Sequence, residues 1–211
     1  SPGVDGIPYE LYRHAPQQIL YLLLNAFNAV LRGRSPTVAS HKWKGALITL
    51  IDKAPAAVLM KEKRPIANLC TMPKILMAIL NARLMRVVED HHILDEAQEG
   101  FRPCRSPKRQ IAKLLSILEE GRRTRSRLVV LFLDIVNAFG SINHRALFQI
   151  LEAYGLPVAD VDLLRRLYEG LWYSVGNWFG ETAACALRRG TQQGASLSPV
   201  LFNLAIDILH Q

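Results

Sequence analysis

One carboxylate stands out because of the residues that precede it. Asp134 lies near the end of the run LVVLFLDI, residues 128 to 135, which is apolar up to that carboxylate. Such a run is long enough for a strand that is covered on both faces and too short for a helix. A carboxylate at the end of such a strand lies where a sheet can bind a ligand or a metal ion. The same Asp could instead cap a helix or form a turn, and the residues alone leave both interpretations open.

A second segment that could bind a ligand is the loop Arg188–Gly194, which contains basic, glycine and glutamine residues. It lies directly before Ser198-Pro199, a pair typical of a helix start. Backbone N–H groups of such a loop can approach a polyanion or a base closely. Taken alone, the pattern is better explained by an ordinary turn.

The positive charge of the chain is concentrated rather than spread evenly. The sequence has 26 Lys and Arg against 18 Asp and Glu, which gives a net charge of +8. Between Arg102 and Arg127, nine basic residues against two acidic ones give a local charge of +7. A phosphate backbone would favour such a stretch, because each neutralised phosphate releases counterions. A solvated helix face followed by a basic loop explains the charge equally well.

Composition excludes several classes of protein. Half of the 211 residues are hydrophobic, which excludes intrinsic disorder. Three scattered cysteines form neither a disulfide framework nor a repeated zinc-ligand spacing, so we expect a reducing compartment. We see no signal peptide or membrane span and expect an intracellular location, in the nucleus or the cytoplasm. Because the chain opens at Ser1 rather than Met, we also expect a fragment of a longer protein.

The elements that must position these residues are mostly helices. Residues 17 to 31 predict a buried helix that ends at Gly33, and residues 46 to 51 predict a strand. The remaining pattern predicts a long helix from Pro73, a helix that begins at Ser106-Pro107, a helix capped by Ser141 or Asn143, and a helix over residues 158 to 171. It also predicts a hairpin formed by residues 173–178 and 182–187, and a terminal helix from Ser198. No repeat or linker divides the chain, which fits one large or two small domains.

Taken in order, several short strings resemble one known family. They are Ser1 to Pro8 (SPGVDGIP), Arg64-Pro65-Ile66, Gly100-Phe101-Arg102 with Arg105-Ser106, Leu133-Asp134-Ile135 with Ala138-Phe139, Gln193-Gly194, and Leu197-Ser198-Pro199. This series resembles the reverse transcriptase domain of non-LTR (LINE-type) retrotransposons. The resemblance covers almost the whole chain, and an ordered set of motifs is far more specific than any single one.

The resemblance implies an α+β fold of the right-hand polymerase type, helix-rich with a small antiparallel sheet. Residues 1–127 would form a fingers-like region and residues 128–211 a partial palm. In this family a second catalytic strand with two adjacent aspartates follows the terminal helix, but the chain stops at Gln211 before that strand. The thumb is absent as well. We therefore expect the 211 residues alone to be inactive or nearly so.

The resemblance also assigns roles to residues around the reaction. Asp134 would be the first metal-binding aspartate and the catalytic carboxylate, with the Ile135 carbonyl as a further ligand. The implied cofactor is Mg²⁺, with two ions in the complete enzyme, since nucleotidyl transfer uses two ions and magnesium prefers oxygen ligands. Lys63 and Arg64 would face the triphosphate, and we favour Arg64 because its planar guanidinium grips phosphate oxygens in pairs.

Further roles follow for the sugar, the base pair and the template. Phe139 would exclude a 2′-hydroxyl and so favour deoxynucleotides, while Gln193 and Gly194 would pack beside the nascent pair. A template-binding motif would comprise Gly100, Phe101, Arg102 and Arg105. The implied partners are an RNA template, a DNA primer and deoxynucleoside triphosphates, with no membrane and with an endonuclease that could be fused outside the chain.

One departure from the family keeps other functions open. Gly140 stands where the family has an acid after Ala-Phe, which places local capping and activity in question. The leading hypothesis is a partial RNA-directed DNA polymerase from a retroelement. The alternative is a non-catalytic RNA-binding protein derived from such an element. A helical protein–protein module ranks last, because it leaves the ordered motifs unexplained.

Overall fold

A computed structural model describes residues 2–34, 41–53, 55, 59, 62–177, 180–192 and 194–209. Helices dominate these residues. The α-helices are α1 (Tyr9–Arg13), α2 (Gln17–Leu31), α3 (Thr71–Asp90), α4 (Pro107–Thr124), α5 (Ala138–Ser141), α6 (His144–Ala153), α7 (Val158–Tyr168) and α8 (Ser198–Ile206). Short 3₁₀ turns cover His41–Lys44 and Asp207–Leu209.

The strands form one small mixed sheet. They are β1 (Gly45–Asp52), β2 (Lys63–Leu69), β3 (Trp172–Asn177), β4 (Gly180–Glu181) and β5 (Cys185–Ala186). The order is β2-β1-β3-β4, with β5 also paired to β3. Trp178, which ends the first arm of the predicted hairpin, lies outside the described residues.

The prediction of an antiparallel sheet is wrong at one pairing. β1 runs parallel to β3, with Ile48 opposite Val175, whereas the other pairings are antiparallel. Hairpins carry local turn signals, but a parallel pair joins segments that are distant in sequence. The sequence pattern therefore gave no indication of the β1–β3 contact.

The core lies between the inner face of this sheet and the helices α3, α6, α7 and α8. Leu147 and Leu151, four residues apart on α6, are completely buried, as expected for side chains on one helix face. Val200 and Leu201 on α8 are also completely buried. Asn143 caps α6 by accepting a hydrogen bond from the Ala146 N–H at 3.2 Å, which confirms one of the two predicted caps.

Helix α2 has the predicted bounds but not the predicted burial. Phe27 is its only buried residue, and Leu22 is 64% exposed. The segment is apolar around most of its circumference, so a single contact face leaves many apolar side chains uncovered. The prediction of a buried helix was wrong for this reason.

The predicted strand over 128 to 135 is likewise not formed in this structure. Residues 126 to 135 are irregular, and Val129, Leu131 and Phe132 are 95%, 78% and 81% exposed. Leu128 packs against Gly121 in α4, which anchors the start of the segment. A strand forms only when a neighbouring strand pairs with its backbone, and no described strand pairs with this segment.

No helix among the described residues is long and apolar enough to cross a membrane.

Candidate functional site

The turn around Phe139 is joined to the loop that begins at Arg188. The Thr191 N–H donates to the Phe139 carbonyl at 2.8 Å, and the Gly190 N–H donates to the Ile142 carbonyl at 2.7 Å. The His144 Nε2 lies 2.7 Å from the Gly190 carbonyl oxygen. These contacts fix two segments that sequence analysis singled out separately.

Two glycines allow this close approach. Gly190 has φ +85°, and a Cβ there would lie 2.7 Å from the Gly140 Cα, so a side chain would be excluded by both backbone and space. A Cβ at Gly140 would in turn collide with the side-chain amide of Asn137. The missing acid at position 140 thus has a local explanation, because the Asn137 side chain lies against Gly140.

Asp134 is exposed and lies in the irregular segment before this turn. It makes no hydrogen bond or ion pair to any other residue that the structure describes. Asn137, and not Asp134, occupies the N-cap position of α5. The interpretation of Asp134 as a helix cap is therefore not supported, and its carboxylate is available to solvent or a ligand.

The donors near Asp134 suit a hard cation in type. Magnesium in nucleotide sites is commonly held by one or two carboxylates together with substrate phosphates. The Asp134 carboxylate and the Ile135 carbonyl are oxygen donors of that kind, although no group of three His, Cys, Asp or Glu residues converges within the described part of the chain. These two oxygen donors therefore fit magnesium in type, without a converging set of ligands among the described residues.

A cleft of about 640 Å³ lies between the sheet and the Arg188 loop. Lys63 at the start of β2, Asn137 and Gly140 in the turn, and Arg188 and Arg189 in the loop all line it. Arg64 is exposed and is not part of this lining, which agrees with the alternation of side chains along a strand. The geometry thus places Lys63, rather than the favoured Arg64, at the cleft.

Lys63 is positioned by an acidic neighbour across the hairpin. Its Nζ lies 2.5 Å from the Asp52 Oδ1, and the two residues are paired in the β1–β2 register. The Arg188 loop also approaches β2. A Cβ at Gly194, where φ is +93°, would lie 2.9 Å from the Ala67 carbonyl oxygen. Gln193 lies outside the described residues.

Three aromatic rings meet beside the turn. The Phe139 ring centroid lies 4.7 Å from that of Phe202 on α8 and 5.8 Å from that of Phe101. The Phe101 ring is oriented edge-on, at 74° to Phe139. Such tilted and edge-on pairs are favourable geometries for aromatic rings.

Arg102 is buried by contacts within the protein. Its guanidinium donates to both carboxylate oxygens of Glu89 at 2.8 and 2.9 Å and to the Asp95 carbonyl at 2.8 Å, and its side chain has no exposed surface. The bond from Arg102 lowers the pKa of the Glu89 carboxyl, and the same pair raises the pKa of Arg102. In this structure Arg102 therefore supports its own segment and offers no donor to a template.

The neighbouring cations are also partly neutralised. Arg105 donates to Glu96 at 2.9 Å and is only 13% exposed. The buried Glu99 carboxylate lies 3.4 to 3.9 Å from Arg105, Arg109 and Lys113. About half of the Arg109 and Lys113 side chains stays exposed, so the outer part of the basic stretch remains open to an anionic partner.

Comparison with known proteins decides the family of the chain. Residues 51–211 match the family model described as reverse transcriptase (RNA-dependent DNA polymerase). The chain belongs to the reverse transcriptase family. Together with the retrotransposon proteins to which the chain is similar, this match confirms the resemblance to non-LTR retrotransposon polymerases that the motifs indicated.

Curated relatives of this reverse transcriptase chain support the same assignment. The chain is 31% identical to the Retrovirus-related Pol polyprotein from type-2 retrotransposable element R2DM of Drosophila melanogaster, over 99% of the chain and 19% of that protein. It is 28% identical to the Transposon TX1 uncharacterized 149 kDa protein of Xenopus laevis, over 98% of the chain and 15% of that protein. It is 26% identical to the Probable RNA-directed DNA polymerase from transposon BS of Drosophila melanogaster, over 97% of the chain and 22% of that protein. The chain thus spans less than a third of the length of these relatives.

Several contacts in and around the candidate site were not predicted from the sequence. His144 and Thr191 join the turn to the loop, and Asp207 is buried with hydrogen bonds from the Asp95 N–H and the Tyr154 hydroxyl, both at 2.9 Å. Each contact joins residues far apart in sequence, so no local spacing reveals it. Burial and the bond to Asp207 raise the pKa of Tyr154 to about 12, which keeps its hydroxyl protonated as the donor.

Proposed function

We propose that this chain is part of an RNA-directed DNA polymerase that copies retroelement RNA into DNA. The observation that carries the proposal is the pair of backbone hydrogen bonds that hold the Phe139 turn against the Gly190 loop beside a cleft with cationic residues. A polymerase needs site segments that are fixed relative to each other, because the incoming nucleotide must be oriented to within a fraction of an ångström for in-line attack. The family match supports this chemistry over other uses of a basic cleft.

The exposed Asp134 carboxylate and the Ile135 carbonyl are proposed to hold a magnesium ion. When bound there, Mg²⁺ would lower the charge of the triphosphate and favour ionisation of the primer 3′-hydroxyl. The chain's own contribution is an oxygen donor that is already free of protein partners among the described residues. We propose that the remaining carboxylates come from a second acidic strand, as the resemblance implies.

The cleft residues are proposed to bind the deoxynucleoside triphosphate. Lys63, Arg188 and Arg189 bring positive charge to the lining, and cations beside a triphosphate offset its negative charge. Arg64 lies on the other face of β2 and would take part only from outside this cleft. Phe139 would face the sugar, and Gln193 and Gly194 would lie beside the base pair.

The template is proposed to lie along the segment that includes Gly100 and Phe101. The exposed Phe101 ring offers a stacking surface, whereas the buried Arg102 and the largely buried Arg105 hold the segment in place. Arg109 and Lys113 are better placed to meet phosphates, since half of each side chain is exposed.

We propose that residues 1–127 act as the fingers and residues 128–211 as the partial palm. This division concerns what the two regions do and does not separate them into two spatial units. The sheet takes β1 and β2 from the first region and β3, β4 and β5 from the second. The cleft is lined from both regions.

Primer extension on an RNA template tests the proposed function. The test uses a polymerase that contains this chain and has the full length of the curated relatives. It is compared with its Asp134→Asn variant. Wild-type protein is expected to extend the primer, and the variant to lose synthesis while it melts at the same temperature, since Asp134 is exposed. Equal synthesis by both proteins would contradict the metal role of Asp134.

The 211-residue chain alone serves as a second test. It is expected to extend no primer, because one carboxylate cannot hold two metal ions in register. Robust synthesis by this chain would contradict the need for a second acidic strand.

A non-catalytic RNA-binding role is the second candidate, favoured by the exposed part of the basic stretch. Its RNA affinity should fall steeply as salt rises, because phosphate contacts release counterions. If the full-length protein binds RNA with this salt dependence but extends no primer, the binding role replaces the polymerase role. A flat salt dependence would contradict backbone binding in either case.

A further inference from the structure

Two other aromatic rings contact the ring of Phe139. Phe202, which is 9% exposed, lies under it at 4.7 Å, and Phe101 meets it edge-on at 5.8 Å. The Phe139 backbone is also fixed, because its carbonyl accepts the Thr191 N–H. Backbone and ring are therefore held by separate contacts.

Phe101 reaches Phe139 from an unusual backbone conformation. Its φ is +56°, a region that a bulky aromatic residue rarely adopts and that costs free energy. More than half of its surface is exposed, so burial of the ring does not by itself account for this conformation.

The conformation of Phe101 is maintained by hydrogen bonds to the preceding residue. The Gly100 carbonyl accepts a bond from the Asn203 Nδ2 at 2.7 Å, and the Gly100 N–H donates to the Gln98 Oε1 at 3.3 Å. Gln98 and Asn203 are themselves bonded at 3.3 Å. Helix α8 therefore supports both flanking rings, because Phe202 contacts Phe139 directly and Asn203 holds the segment that carries Phe101.

We infer that Phe101 and Phe202 are positioning residues that hold the Phe139 ring and so determine how strongly the polymerase selects deoxynucleotides over ribonucleotides. This inference rests on the proposed function, in which Phe139 faces the sugar. A ring excludes a 2′-hydroxyl only while it cannot rotate away from it. Loss of either neighbouring ring leaves Phe139 free to turn, so a ribonucleotide is accepted more readily relative to a deoxynucleotide. Loss of template stacking at Phe101 would slow incorporation of both nucleotides equally and so leave their ratio unchanged.

The test compares single-nucleotide incorporation by the full-length polymerase with a deoxynucleoside and a ribonucleoside triphosphate. Phe101→Leu removes the aromatic ring but keeps a side chain with a Cβ, so the positive φ at position 101 stays as unfavourable as before. Phe101→Tyr keeps the ring. Phe101→Leu is expected to lower the ratio of the two kcat/KM values about fivefold, which corresponds to the loss of one ring contact. The change in the ratio should come from the KM for the ribonucleotide, and Phe101→Tyr should restore the wild-type ratio.

Two further variants separate this role from a general loss of stability. Phe202→Leu removes the other neighbouring ring and is expected to lower the same ratio. Phe27→Leu, in a buried position on α2 outside the site, is the matched control and should leave the ratio unchanged. A purely structural role would lower both kcat/KM values together and leave their ratio as it was.

The outcomes distinguish the inference from the function beneath it. If wild-type protein incorporates deoxynucleotides and the ratio is unchanged in both Phe101→Leu and Phe202→Leu, the inference is overturned. If wild-type protein incorporates no nucleotide at all, the proposed function fails, and the inference with it. A lower ratio in both variants, restored by Phe101→Tyr, supports the inference.

Discussion

Two segments of similar apolar composition have opposite environments in this molecule. Helix α8 carries Val200 and Leu201 with no exposed surface, whereas Val129 and Leu131 in the irregular segment are 95% and 78% exposed. The sequences SPVLFNLAI and LVVLFLDIV give little reason to expect such a difference. The difference arises from the backbone, because a helix pairs its own N–H and C=O groups whereas an extended segment needs a neighbouring strand.

This comparison shows that apolar composition predicts burial only where a suitable partner is present. We propose that residues 128–136 pair with a strand of the complete reverse transcriptase domain, which would bury their side chains and fix Asp134 at the edge of a sheet. Helix α8 needs no such partner, since α3 and α6 already cover it.

The largest effect is expected in the buried segment. Leu201→Ala removes a completely buried side chain and should lower the free energy of unfolding by about 4 kcal/mol, through lost burial and the cavity left behind. Urea unfolding of the 211-residue chain, followed by circular dichroism, measures this loss. A loss below about 1 kcal/mol would contradict the packing of α8 described here.

A somewhat smaller effect is expected at Arg102. Arg102→Ala leaves the Glu89 carboxylate without its partner and should cost about 3 kcal/mol, near the lower end for a buried pair because Glu89 is partly exposed and can be hydrated. The matched control is Arg109→Ala, at a half-exposed ion pair, which should cost less than about 1 kcal/mol. Equal losses in the two variants would contradict the supporting role of Arg102.

The Arg102 effect should also depend on pH. Because the pair lowers the pKa of Glu89 in the folded state, its stabilisation is present above the unfolded carboxyl pKa of about 4.3 and is lost as pH falls through the lower folded value. The difference in unfolding free energy between wild-type protein and Arg102→Ala should therefore shrink below about pH 4. A difference that stays constant down to pH 2 would show that Arg102 acts through packing rather than charge.

Helix bounds were largely predictable from the sequence, because their signals are local. Gln17–Leu31 was predicted with its observed bounds, and Pro107 begins α4 after Ser106 as expected. Strand pairing and burial were less predictable, because they depend on residues far apart in the chain. The β1–β3 contact, the exposed face of α2 and the unpaired segment 128–136 are of this kind.

The candidate site shows the same division between local and distant signals. The order of the motifs indicated the family and, through the resemblance, assigned roles to Phe139, Lys63 and the favoured Arg64. Asp134 was singled out by the apolar run that precedes it. The hydrogen bonds that join the Phe139 turn to Gly190, and the ion pair that buries Arg102, were not predictable, since each depends on the packed arrangement of several elements. The roles assigned to the site residues stay predictions.

The smallest effect on the 211-residue chain is expected in the exposed segment. Leu131→Ser replaces a side chain that is 78% exposed and should change the free energy of unfolding by no more than about 0.5 kcal/mol, as for other surface substitutions. In the complete polymerase the same change should cost about 3 kcal/mol, because a partner strand would bury the position. Urea unfolding of both proteins measures the two values, with Leu201→Ala as the control that should cost the same in each. A large loss in the 211-residue chain would show that the segment is already packed there, and small losses in both proteins would show that residues 128–136 gain no partner strand in the complete domain.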